Sequence, residues 1–131
     1  MYKYININSK YIKELQEFNP EMVVEIAAMF PGEYSKYLSM VEAGEAAADV
    51  EMILRGVHSL KSNIKIFIDE QHEIIQKMQQ IEAALRKRLE AQESAQPVDN
   101  SLDFHQIPHQ LRQMLQEPMS EIAHFASHSD S

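Results

Sequence analysis

Apolar residues recur along this chain at the three- and four-residue spacing that is typical of amphipathic α-helices. The clearest stretch follows Asp49, a residue type that caps helix N-termini well. Its apolar positions form a stripe about 100° wide on one helical face and are Val50, Ile53, Leu54, Val57, Leu60, Ile64 and Phe67. We therefore predict a helix that begins after Asp49, buries this stripe in a core and ends where the chain turns, around Ile68-Asp69.

A short first helix is predicted near the N-terminus. Asn8 or Ser9 can cap it, and the apolar pattern continues to about Phe18. We expect this helix to dock on the rest of the fold as a lid.

A second helix is predicted to begin at Asn19-Pro20. Asparagine is a good cap, and proline suits the first helical position because its missing N–H would have no partner there. Pro31-Gly32 should then break or kink the helix, after which the apolar pattern continues until Ala43-Gly44.

A long fourth helix is predicted to run to about Ala91, and its apolar stripe comprises Ile74, Ile75, Met78, Ile81, Leu85 and Leu89. Four amphipathic helices with short connections favour an all-α fold, an antiparallel four-helix bundle that includes the short N-terminal helix, and we assign residues 1–93 to it. Residues 94–131 are expected to form a linker and a C-terminal extension, partly helical or disordered. Pro108 and Pro118 interrupt the helix-like pattern of that extension.

Composition narrows the function classes. The chain has 20 acidic and 12 basic residues, a formal net charge of −8, which argues against nucleic-acid binding. It contains no cysteine, which excludes disulfides and thiolate metal sites and fits a reducing compartment. No apolar run reaches the length of a membrane span or of a signal-peptide core, so we expect a cytoplasmic protein that does not enter a membrane.

One predicted helical face concentrates positive charge on this acidic chain. Four residues share that face with His58: Arg55, Lys61, Ser62 and Lys65. Residues 52–68 contain no Asp or Glu, and His58 lies at the edge of the apolar stripe, where packing can fix the direction of an accessible ring. The pattern favours a phosphohistidine site over the simpler alternative, a boundary histidine beside a solvated cationic face.

The segment His58-Ser59-Leu60-Lys61 resembles the His-x-x-Lys core of histidine-containing phosphotransfer (HPt) domains, and residues 20–90 are similar to that family in helix length and apolar spacing. The resemblance implies a four-helix bundle whose exposed histidine accepts a phosphoryl group from an aspartyl phosphate on a receiver domain and passes it to another receiver. It implies as partners a response-regulator receiver domain, a hybrid histidine kinase, or both. The chain departs from the family at two glycines, which are replaced by Ser62 and Ile68.

Each polar residue near the motif has an expected role. His58 would be the nucleophile, because a neutral imidazole is competent near neutral pH, and Lys61 the phosphoryl clamp. Further binding residues, expected to extend the positive field or donate hydrogen bonds, are Arg55, Ser59, Ser62, Asn63 and Lys65. Gln79 or Gln80 is expected to orient the ring, because a reversal near residue 68 brings that part of the next helix level with His58.

Other functions leave weaker signals in the sequence. No Gly-rich phosphate loop, Walker sequence or Mg-binding carboxylate set is present, so we expect a phosphocarrier rather than a kinase, with no cofactor and with Mg²⁺ only on the partner receiver. Two histidine pairs have the spacing of metal ligands but lack a third ligand, so no metal is expected: His105/His109 and His124/His128. The remaining alternative is a degenerate HPt bundle, a helical adaptor that binds a receiver or a histidine kinase without being phosphorylated.

Overall fold

The chain forms α-helices throughout the part that the structure, a computed structural model, describes: residue 7 and residues 9–94 and 104–127. The helices in this part are α1 Lys10–Phe18, α2 Pro20–Ala46, α3 Val50–Ile64, α4 Glu73–Glu93 and α5 Ile107–Ser127, and a 3₁₀ turn, Phe104–Gln106, precedes α5. No strand occurs among these residues, which confirms the all-α class. Within the same ranges, no helix combines the length and the apolar character needed to cross a membrane.

Side-chain caps fix where the first three helices begin. The capping oxygens belong to Ser9, Asn19 and Asp49, each of which accepts a hydrogen bond from the backbone N–H three residues later, at 3.1 to 3.2 Å. These three helix starts confirm the predictions, although the other predicted cap, Asn8, lies outside the described residues. The Ser9 hydroxyl also donates to the Ile66 carbonyl at 2.5 Å, which joins the start of α1 to the turn that follows α3.

The second helix runs through its internal proline without interruption. α2 contains Pro31 and ends at Ala46, so of the predicted break or kink at Pro31-Gly32 the break does not occur. An internal proline costs about 3 kcal/mol, because it removes a hydrogen bond and clashes with the carbonyl four residues earlier. Phe30 and Leu38 are buried on either side of the proline, and burying each contributes about 1.5–3 kcal/mol, so core packing outweighs the local cost.

Buried side chains from all five α-helices share one apolar core. α2 packs against α1, α3 and α5, and α3 packs against α4. α5 lies within the predicted C-terminal extension, and its fully buried residues are Ile107, Leu111, Leu115 and Ile122. An ion pair between Arg112 and Glu42 at 2.6 Å also joins this segment to α2, as does a contact between the His105 ring and the Glu45 carboxylate.

Two glycines allow α2 and α3 to approach closely. A Cβ atom on Gly56 would lie 2.5 Å from Val41 Cγ2 and 3.1 Å from the Tyr37 carbonyl oxygen. A Cβ atom on Gly44 would lie 2.9 Å from the Ile53 backbone nitrogen. Any larger side chain at these positions would push the two helices apart, so the glycines help to set the position of α3.

The connection between α3 and α4 sets which residues of the two helices face each other. Beyond Ile64 the backbone makes one more helix-like turn, in which the Ile68 N–H donates to the Ile64 carbonyl at 3.0 Å, and Ile68 is fully buried. α4 begins only after His72, whose Nδ1 accepts a hydrogen bond from the Ile74 N–H at 3.0 Å. Because the extra turn carries the chain further before it reverses, residues of α4 beyond Gln80 lie level with His58.

Candidate functional site

His58 projects from the middle of α3 with its side chain 55% exposed. Its Nδ1 atom lies 3.3 Å from Oε2 of Glu82, a residue of α4 that is only 1% exposed. The histidine ring is therefore open to solvent on one side, while a buried carboxylate holds it on the other.

The Glu82 carboxylate is surrounded by positive charge. Lys61 Nζ lies 2.8 Å from Oε1 as an ion pair, without the alignment of a hydrogen bond, and its side chain is only 13% exposed. Arg86 Nη2 donates to Oε2 at 3.2 Å, and the Arg86 side chain is 56% exposed. A buried carboxylate destabilises a fold unless it is paired, and the two cations supply that pairing.

This arrangement distinguishes the two nitrogens of the His58 ring. An ionised carboxylate can only accept hydrogen bonds, so in the neutral ring Nδ1 carries the proton that bonds to Glu82. Nε2 then keeps its lone pair, and more than half of the side chain is exposed. The site thus leaves Nε2 with a free lone pair, while the contact between Nδ1 and Glu82 orients the ring.

The structure assigns different environments to the other predicted residues of α3. Lys61 belongs to the cluster, but Arg55 is ion-paired with Glu51 on the same helix. Asn63 donates its side-chain N–H to the Ser59 carbonyl at 2.8 Å, which uses that predicted donor within α3. The other two predicted residues lie apart from the cluster: Ser62 is exposed one turn beyond His58, and Lys65 is half-buried at the end of the helix.

Neither glutamine predicted to orient the ring does so in the structure. Gln80 is exposed and lines a groove between α4 and α5 together with Ile81 and Met114, and Gln79 is half-buried without a hydrogen bond to His58. Glu82 occupies the predicted role instead, two to three residues further along α4. The extra turn after α3 accounts for this difference, because it shifts the register of the two helices.

The sequence carried a signal for Glu82 that the predictions missed. Met78 and Leu85 are buried on the inner face of α4, and Glu82 lies between them at the i, i+4, i+7 spacing of that face. A single carboxylate inside an apolar stripe indicates a buried charge that needs cations, and Arg86 follows one turn later.

The remaining histidines do not gather around a metal-like site. His105 pairs with Glu45, and His109 lines a groove between α2 and α5, while His128 lies outside the described residues. Across the described ranges, no group of three or more His, Cys, Asp or Glu side chains is placed to hold a metal ion.

Comparison with known proteins gives no match for this chain: no family model, no curated protein and no solved structure corresponds to it. The functional argument therefore rests on the geometry of the His58 site.

Proposed function

We propose that this chain is a histidine phosphotransfer protein of a two-component phosphorelay. His58 accepts a phosphoryl group from the aspartyl phosphate of a receiver domain and passes it to a second receiver. The observation that carries the proposal is the exposed His58 ring, anchored through Nδ1 by the buried Glu82 carboxylate. A surface histidine that only filled space would not need a buried, doubly neutralised charge behind it.

The proposed scaffold is a four-helix bundle of α2 to α5, with α1 packed on α2. It differs from the bundle predicted for residues 1–93, because α5 takes the place of the short N-terminal helix. Two sets of contacts support it: α2 lies against α3 and α5, and α3 lies against α4. Sites in helix bundles are commonly built from side chains on facing helices, as His58 of α3 and Glu82 of α4 are here.

Phosphoryl transfer at this site needs no metal or cofactor from the chain itself. Nε2 of His58 attacks phosphorus, the Nε2–P bond forms, and the P–O bond to the aspartyl carboxylate breaks. Mg²⁺ belongs to the receiver in this scheme. The protein's contribution is to position the ring and to balance the charge of the phosphoryl oxygens.

The two cations of the cluster receive different roles in the proposal. Lys61 is largely buried and neutralises Glu82, so part of its effect on transfer acts through the carboxylate. Arg86 touches the same carboxylate oxygen as His58 and leaves over half of its side chain exposed. A guanidinium has five N–H donors in a fixed fork, which suits it to contact phosphoryl oxygens while it still holds Glu82. We therefore add Arg86 to Lys61 as a phosphoryl-binding residue.

The test is phosphoryl transfer from a panel of receiver domains, each phosphorylated with acetyl phosphate and Mg²⁺. Transfer should produce acid-labile, base-stable phosphate on the wild type and none on His58→Gln. His109→Gln is the matched control, since it makes the same substitution at another exposed histidine and should leave transfer intact. Phosphate that persists on His58→Gln would contradict the proposal. Receiver binding without transfer to any of the three proteins would favour the adaptor alternative.

A further inference from the structure

We infer that Glu82 keeps a proton on Nδ1 of His58 throughout the phosphoryl cycle, so that the phosphorylated ring always leaves as neutral imidazole. Phospho-His58 is then a fast phosphoryl donor at neutral and mildly alkaline pH. The inference rests on the proposed function and adds a positioning and charge-holding role for Glu82 in the phosphorylated state.

The geometry gives Glu82 this role rather than a purely structural one. Its Oε2 is 3.3 Å from Nδ1, and burial of the carboxylate to 1% exposure keeps water from replacing that contact. The His58 side chain is 55% exposed, and Nε2 is the ring nitrogen that does not contact Glu82. Phosphorylation of Nε2 therefore leaves the Nδ1 contact with Glu82 in place.

The bonds and charges balance without any proton leaving the ring. When Nε2 attacks phosphorus, the electron pair of the broken P–O bond leaves with the aspartate, and the ring becomes cationic with its Nδ1–H still bonded to Glu82. In the onward step a second carboxylate attacks phosphorus, and the electron pair of the N–P bond returns to Nε2. The ring is again neutral, with the same proton. If that proton were lost first, the leaving group would be an imidazole anion, and transfer would be slower.

The other charges near the ring determine how large the effect should be. Arg86 from α4 and Lys61 from α3 also contact the carboxylate and reduce its net field at the ring. Arg55 is paired with Glu51. Glu33 of α2 lines a groove together with Asn63, which lies more than one helical turn beyond His58. The negative charge of Glu82 favours the cationic form of the phosphorylated ring, and the two cations that share the carboxylate weaken this effect.

The test uses phosphoramidate, a small P–N phosphodonor whose leaving group is ammonia, so that no partner protein is needed. Wild type and Glu82→Gln are phosphorylated, freed of donor, and followed by ³¹P NMR while phosphohistidine hydrolyses at pH from about 5 to 10. The pH of half-maximal hydrolysis should lie at least about one unit higher in the wild type, which makes its hydrolysis about tenfold faster at alkaline pH. Identical pH profiles would overturn the inference.

Glu82→Gln leaves Lys61 without its ion-pair partner and could therefore fail to fold. A second comparison tests the inference without this variant. The wild-type phosphoprotein is compared with itself in urea, where Glu82 no longer faces His58. The pH of half-maximal hydrolysis should be higher in the folded protein than in urea. Equal values would contradict the role of Glu82.

The outcomes separate this inference from the proposed function. If phosphoramidate and phosphorylated receivers both fail to label folded wild-type protein, the proposed function fails and the inference falls with it. If His58 is labelled but the pH profile of phosphohistidine hydrolysis is the same with and without Glu82, the phosphotransfer function stands and only the inference is lost.

Discussion

Replacing Gly56 with alanine tests whether the close approach of α2 and α3 holds the His58 helix in place. The added Cβ would lie 2.5 Å from Val41 Cγ2, about 1 Å closer than ordinary carbon contacts. The Val41 side chain is fully buried, and the Tyr37 carbonyl oxygen, 3.1 Å away, belongs to the backbone of α2. The clash therefore cannot be relieved by a side-chain rotation alone, and the helices must separate.

The magnitude follows from two opposing terms. Overpacking of this kind costs about 1–3 kcal/mol, whereas alanine in place of glycine gains up to about 1 kcal/mol of helix stability. Gly32→Ala shows the second term alone, because Gly32 lies inside α2 and a Cβ there meets nothing within 4 Å. The difference between the two variants therefore gives the overpacking cost at Gly56. Gly32→Ala should stabilise the protein, and Gly56→Ala should be about 1–3 kcal/mol less stable than that control.

The assay is urea unfolding of both variants and the wild type, followed by far-UV circular dichroism, with the slope checked for two-state behaviour. A Gly56→Ala protein within about 0.5 kcal/mol of Gly32→Ala would refute the reasoning. Because Gly56 lies two residues before His58, the same variant should also slow phosphoryl transfer if α3 moves relative to α4.

Three further predictions concern the charge cluster and the loop before α3. Glu82→Ala should lower the free energy of unfolding by about 3 kcal/mol, since it leaves the largely buried Lys61 ammonium without its ion-pair partner. Glu90→Ala, at an exposed position of the same helix, should change it by less than about 0.5 kcal/mol, and equal effects in urea unfolding would contradict the buried pair. Arg86→Gln should slow transfer from a phosphorylated receiver at least about tenfold, while the free energy of unfolding should change by less than about 1 kcal/mol. An unchanged transfer rate would show that Arg86 does not bind the phosphoryl group. Ala48 has a φ of 55°, in the left-handed region, so Ala48→Gly should be about 1–2 kcal/mol more stable than Ala47→Gly, whose site has ordinary right-handed backbone. Calorimetry that ranks these two glycine variants the other way would count against strain at Ala48.

Local sequence determined the helix starts and the face that carries His58. Ser9, Asn19 and Asp49 cap their helices through contacts three residues away, so neighbouring residues alone suffice to predict them. The break or kink predicted at Pro31-Gly32 illustrates the opposite case: the local cost of the proline is real, but α2 does not break there, because burial on both sides of the proline is a tertiary contribution.

The candidate site also combines features that residue spacing predicts with one that depends on tertiary packing. The sequence determined that His58 lies at the edge of an apolar stripe with Lys61 one turn later, because helical phase follows from residue spacing alone. That Glu82 contacts the ring, and neither Gln79 nor Gln80 does, depends on how α3 and α4 pack against each other. The physical reason is that the register between two helices depends on the length of the turn that joins them and on how closely they pack. A change of two or three residues in that register replaces an amide with a buried carboxylate.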